Sequence, residues 1–205
     1  FRVPDFIYGI LITGGITAAF LPVFSSYFHE SQESGKRLFR EIFTIFFIAL
    51  AFLAIIFFFL APFLVNLTVP GFSLEQKAQT VVLMRIMFLS PVILGLSAIF
   101  SSVLQSLNFF YAFAIAPIFY NAGILTGILV FYPAIGLPGL ALGVIFGALM
   151  HLFIQVIPAI KAGFIPKFSL ALKEGAGLLK ISKLMVPRVV SVAAFQINLI
   201  ITTAI

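Results

Sequence analysis

From Ile86 to Ile160 the chain carries not one Asp, Glu, Lys or Arg. Ordinary soluble domains are about 25% charged, so no water-facing fold can be built on such a stretch. Its length suits three membrane crossings at roughly 20 residues each. The remainder agrees: 62% of the residues are hydrophobic and 9% charged. Inside hydrocarbon every backbone N–H and C=O has to bond within the protein, which leaves helices or a closed barrel. A barrel would show alternating strands of ~10 residues, and the apolar runs here are longer and do not alternate. The fold class expected is all-α, a polytopic membrane helical bundle.

Turn chemistry divides the apolar sequence into five complete spans, at about 6–28, 42–66, 80–107, 110–132 and 139–160, with a further span beginning over 184–205. The breaks are the charged stretch 29–41, the Pro70-Gly71 dipeptide, Asn108, and a segment holding Pro133, Gly136, Pro138 and Gly139. Of the 12 basic residues, Lys36, Arg37, Arg40, Lys161, Lys167, Lys173, Lys180, Lys183 and Arg188 lie in or beside the connections after the first and fifth spans. Both connections fall on one side, which the positive-inside bias makes cytoplasmic. These flanks account for the net charge of +6, so nucleic-acid binding is not needed to explain it. The segment 161–183 sets Phe164, Phe168, Leu172, Leu178, Leu179 and Ile181 among lysines. It reads as a basic amphipathic linker, a surface helix lying on an anionic inner leaflet. Phe1 is not an initiator Met and Ile205 stops inside the charge-free run that starts at Val189, so the chain reads as a piece of a longer protein.

Polar residues within the spans are the candidate functional groups. On a wheel of about 100° per residue, Arg2, Asp5, Gly9, Thr13 and Thr17 share one sector of the first span. Phe20 and Phe24 continue that face and would floor a polar cavity. Gly14, Gly15, Ala18 and Ala19 lie opposite, at the four-residue small-residue spacing that lets helices approach closely. In the third span Ser90, Ser97, Ser101, Gln105 and Asn108 form a second stripe, a face that is either wet or hydrogen-bonded. Arg85 lies well away from that stripe and reads as a side chain snorkelling to the interface. Asn121, Gln155, Gln196 and Asn198 read as isolated interhelical amides.

Catalytic chemistry is not expected. There is no cysteine, His29 and His151 are the two histidines, and no two acids share an intramembrane face. Neither a metal nor a cofactor site is expected.

Several stretches carry a family resemblance, in order along nearly the whole chain: "VPDFIYGILITGGITAAFLPVFSSYF", "TVPGF", "MRIMFLSP", "SVLQSLNFFYAFAIAPIFYNAGI" and "FQINLIITT". Together they resemble the MurJ/MviN lipid II flippases of the multidrug/oligosaccharidyl-lipid/polysaccharide exporter superfamily. The turn Pro70-Gly71-Phe72 and the group Pro117, Tyr120 and Asn121 are part of that pattern. The resemblance implies a bacterial inner-membrane protein of two helical lobes around a central cavity. It would move the undecaprenyl-pyrophosphate-linked peptidoglycan precursor outward by alternating access, in support of the cell wall. This chain would hold part of the N-terminal lobe and the start of the second, with membrane lipids and the remaining lobe as its partners. One departure stands out: the family pattern has a basic pair where Tyr8 and Gly9 stand and an acid where Thr13 stands. Cations for a pyrophosphate would then come from Arg2 or from outside this chain. The competing readings are another exporter of the superfamily and a non-transporting membrane scaffold.

Overall fold

The computed structural model describes residue 9, residues 17–169 and residues 175–204, with side chains described as far as Phe195, Ala18 excepted. All the regular structure among the described residues is helical: α1 (Thr17–Glu30), α2 (Gln32–Thr68), α3 (Leu74–Met87), α4 (Leu89–Ser106), α5 (Phe110–Thr126), a π-helical turn (Gly127–Phe131), α6 (Tyr132–Ile135), α7 (Leu137–Lys161) and α8 (Gly175–Ala204). Four stretches are long and apolar enough to cross a membrane: Gln32–Thr68, Leu74–Ser106, Phe110–Ile135 and Leu137–Lys161.

The charged stretch 29–41 is mostly helix rather than loop. Ser31 alone separates α1 from α2. Amphipathic spacing explains it, because Leu38, Phe39 and Ile42 fall on one face and are wholly buried. The hairpin is tight: a Cβ on Gly35 would lie 3.0 Å from the Phe28 Cα. At 37 residues α2 is about 55 Å long, well beyond the ~30 Å hydrocarbon core, so part of it projects past the apolar layer.

Local chemistry sets the other boundaries. Val69 to Ser73 make the turn between α2 and α3, where the Phe72 N–H reaches the Val69 carbonyl at 3.2 Å. Ser73 then starts α3 through a capping box, its hydroxyl accepting from the Gln76 N–H at 3.2 Å while Gln76 Oε1 accepts from the Ser73 N–H at 2.9 Å. α3 and α4 form one bent span, broken at Phe88. Pro91 explains the bend, because its ring cannot donate and crowds the carbonyl four residues back, at Met87. α4 ends on Asn108 at φ 62, with Phe109 N–H to Leu104 carbonyl (2.8 Å) and Asn108 N–H to Gln105 carbonyl (3.0 Å), a Schellman closure on a residue type that tolerates the left-handed region.

α7 closes the same way, and over 164–169 the chain departs from the expected surface helix. Gly163 at φ 89 ends α7, with Phe164 N–H to Ala159 carbonyl at 3.0 Å. Residues 164–169 are not helical. Pro166 has no N–H to give and biases Ile165 towards extended backbone, so the chain leaves the helix as a strap. Phe164 drops into the core at 1% exposure, its ring 5.6 Å from Phe24, 5.8 Å from Phe28 and 5.6 Å from Phe39. The Ser169 N–H is taken by Thr44 Oγ1 at 2.8 Å. From Gly175 onward α8 runs without a break through the junction expected near 184. Its start packs on the core: Ile181 is 1% exposed, and a Cβ on Gly177 would lie 3.0 Å from both Leu38 and Tyr27. An apolar cluster of Phe20, Phe24, Phe39, Phe100, Phe164 and Ile181 therefore binds α1, α2, α4, the strap and α8 together.

α5 and α7 approach most closely. A Cβ on Gly127 would lie 2.5 Å from the Gly143 Cα, and one on Gly123 or Gly147 would run into the facing backbone. The ladder Gly123, Gly127 against Gly139, Gly143, Gly147 removes side chains from both helices, so dispersion and backbone contact hold them where lipid offers no hydrophobic gain. The π turn at Gly127–Phe131 sets the Phe131 carbonyl against Gly139. Arg85 ties α3 to α2, donating to the Phe58 carbonyl at 3.1 Å with its guanidinium 4.6 Å over the Phe58 ring.

Candidate functional site

The serine stripe of α4 faces protein. Ser97 is fully buried, Ser90 and Ser101 nearly so, Gln105 half-buried, and only Asn108 at the end is exposed. The partner is α7, where His151 and Gln155 stand one turn apart on the face that also carries Ala148 and Ala159. Ser97 Oγ lies 2.8 Å from His151 Nδ1, and Gln155 Nε2 donates to Ser97 Oγ at 2.8 Å and to the His151 carbonyl at 3.2 Å. The Tyr120 ring meets the imidazole edge-on at 6.4 Å from α5. Lower in α4, Gln105 Nε2 donates to Ser101 Oγ at 3.1 Å.

The bonding sets the hydrogen positions. Ser97 Oγ accepts from Gln155, so its own hydrogen goes to the nearer acceptor, His151 Nδ1, rather than to the His151 carbonyl at 3.3 Å. That direction corresponds to the neutral tautomer of the imidazole with its hydrogen on Nε2. A directed chain results, from the Gln155 amide through the Ser97 hydroxyl to His151 Nδ1. One atom is left over: Gln155 Oε1 is buried and has no hydrogen-bond partner. An unpaired buried acceptor costs about 1–3 kcal/mol.

The sequence candidates are distributed as follows. Arg2, Asp5, Tyr8, Thr13, Gly14 and Gly15 lie outside the described residues, as does the side chain of Ala18. Gly9 is buried, Thr17 is half-buried, and Ala19, Phe20 and Phe24 are fully buried in the apolar cluster. Pro70, Gly71 and Phe72 form the exposed turn before α3, and Gly71 has open space where a Cβ would go. On α5, Pro117 and Asn121 are exposed while Tyr120 turns towards α7. Among the described residues no three His, Asp or Glu side chains gather as a metal would need. A separate cavity of about 180 Å³ lies between α3 and the start of α7, walled mainly by Leu83, Met84, Met87 and Leu140, with Thr80 also in its lining.

Two features escaped the sequence reading although their signals were present. Gln155 makes the interhelical hydrogen bond expected of it, but the sequence also sets His151 four residues before it, hence on the same helix face. The glycines at 123 and 127 and at 139, 143 and 147 repeat every four residues.

Long apolar helices, a core that ties them into one bundle and hydrogen bonds made across the membrane interior define a multi-pass α-helical membrane protein. Residues 1–205 match the family model described as lipid II flippase MurJ, and the chain belongs to that family. It is 32% identical, over 99% of its length, to the "Probable lipid II flippase MurJ" of Buchnera aphidicola subsp. Acyrthosiphon pisum, covering 40% of that protein. It is 27% identical over its whole length to the "Lipid II flippase MurJ" of Burkholderia cenocepacia, covering 41% of it. With the "Probable lipid II flippase MurJ" of Borreliella burgdorferi it shares 27% identity over 80% of its length and 32% of the relative's. The chain thus spans at most about two-fifths of these curated relatives.

Proposed function

We propose that the full-length protein translocates lipid II, the undecaprenyl-pyrophosphate-linked peptidoglycan precursor, across the bacterial inner membrane by alternating access. The carrying observation is the family match over all 205 residues. In this reading the chain supplies five spans of the first lobe and the start of the next, with the basic connections cytoplasmic and the turns at 67–79 and 133–138 outside. The packing supports a lobe that moves as one piece: glycines lock α5 to α7, hydrogen bonds join α4 to α7, and the aromatic cluster fastens α1, α2 and the strap. Arg2, Asp5, Gly9, Thr13 and Thr17 are proposed to line the substrate path on the outer half of the first span. Ser101 and Gln105 belong to the same proposal, while Ser97 serves the contact with α7. The cations for the pyrophosphate are Arg2 and residues outside this chain, since Tyr8 and Gly9 cannot supply charge.

Depletion in the host tests the proposal. Lipid II accessible at the outer surface should fall while precursor accumulates inside, and the full-length gene should restore growth to a flippase-deficient strain. Unchanged surface lipid II together with failed rescue would refute this cargo.

A further inference from the structure

We propose that His151 is a proton-binding site at membrane depth, whose occupancy reverses the hydrogen-bond chain joining α7 to α4. The geometry has three parts. His151 is half-buried, and its Nδ1 faces Ser97 within the helix interface. Ser97 and Gln155 are both fully buried. Gln155 Oε1, the other end of the amide that now donates, is the buried acceptor without a partner.

A serine hydroxyl both donates and accepts, and an amide presents a donor at one end and an acceptor at the other. The chain can therefore run either way. With neutral imidazole, Gln155 N–H donates to Ser97 and Ser97 O–H donates to Nδ1. When a proton from water adds to the ring, both nitrogens carry hydrogen and Nδ1 can no longer accept. Nδ1–H then donates to Ser97 Oγ, the hydroxyl turns about its C–O bond, and the Gln155 amide rotates to present Oε1 as the final acceptor. The N–H bond forms as an O–H bond of hydronium breaks and leaves water; no other covalent bond changes. The turned amide sets Oε1 beside the His151 carbonyl, where Nε2 now bonds at 3.2 Å. That contact favours the neutral direction at rest, and the proton is what overcomes it.

Among the described residues no acid or base is placed against the His151 ring. α4, α5, the π turn, α6 and α7 up to Ile160 carry no Asp, Glu, Lys or Arg, and Tyr120 is the titratable side chain that meets the ring. α7 ends on Lys161, more than two turns from His151. On α3, Glu75 and Lys77 lie in the opening turns, and Arg85 is held at Phe58 of α2. An ionisable group in a span that packs inward marks a functional position by default. The inference stands on this geometry and does not depend on the cargo.

The test is the ring nitrogen spectrum of full-length protein, labelled with ¹⁵N-histidine and held in lipid bilayers. The His151 signals are assigned by their loss in His151→Gln, or in His151→Asn should the first variant not fold. Between about pH 8 and 5, where imidazoles change charge, the signals should pass from the neutral Nε2–H form to the doubly protonated one. Ser97→Ala and Gln155→Met each break the relay, and either should move the midpoint by about two- to tenfold in proton concentration, the scale of one neutral hydrogen bond. A signal that stays neutral down to about pH 5 in folded protein overturns the site. A midpoint unmoved in both relay variants overturns the reversal. Because this readout needs no lipid II, it stays informative even if translocation of that cargo is refuted.

Discussion

Replacing Phe164 by alanine should release the strap from the bundle. The ring is 1% exposed and touches three others, Phe24, Phe28 and Phe39, at centroid distances of 5.6, 5.8 and 5.6 Å. Truncating such a phenylalanine costs about 3–5 kcal/mol, from lost transfer energy and the cavity left behind. Backbone bonds at Gly163 and Phe164 hold the end of α7 independently of the ring, so the loss falls on docking of the strap rather than on the span. At 1.4 kcal/mol per tenfold, the undocked population rises by roughly 10²-fold or more. Ser169→Cys reports it, because the Ser169 N–H bonds Thr44 only while the strap is docked. The Ser169 side chain is half-buried in the docked strap, so its maleimide labelling rate in full-length protein, cleared of other reactive cysteines, should rise, by less than the change in population. Phe168→Ala is the internal control. That ring is 65% exposed and, among the described residues, pairs with the rings of Phe43 at 6.1 Å and Phe47 at 5.2 Å, pairs worth about 0.5–1.5 kcal/mol each. Equal labelling rates in the two variants would refute the reading of Phe164 as the anchor.

Two other perturbations bear on the packing and the sidedness. Gly143→Ala places a methyl against the Gly127 backbone, where neither helix has a side chain to move, and should cost about 1–3 kcal/mol in thermal unfolding of the full-length protein; Gly71→Ala meets open space and should leave the melting temperature within a degree or so of wild type. Cysteines at the exposed Ser31 and Ser73 should be labelled by an impermeant reagent in intact spheroplasts only at Ser73; labelling of Ser31 with protection of Ser73 would invert the proposed orientation.

Much of the helix plan was legible because it follows from short-range chemistry. Pro91 bends the third span, Asn108 accepts the left-handed turn that ends α4, and the Pro70-Gly71 turn leads into the Ser73 cap. Over 164–169 the chain departs from the expected helix for a local reason that the sequence also contains: Gly163 followed by Pro166 stops a helix, whereas the spacing of phenylalanines and lysines suggests that one continues. Part of that alternation has another cause, since Phe164 and Ile181 face the core of this bundle, whereas Phe168 and Leu179 are exposed.

What the sequence by itself determined is the solvent. A charge-free stretch from Ile86 to Ile160 has to lie in hydrocarbon, hydrocarbon obliges the backbone to close its own hydrogen bonds, and the helices follow. Which faces of those helices meet was decided only by the tertiary structure. A serine stripe looks the same on a wheel whether water or another helix satisfies it, and Ser97 finds Gln155 across 58 residues of chain. The glycine ladder then sets how near α5 comes to α7, and the aromatic cluster sets where α1, α2 and the strap stand. Periodicity specifies the angle at which a side chain leaves its own helix; the partner depends on the position of another helix, which is a property of the packed bundle and of no single segment.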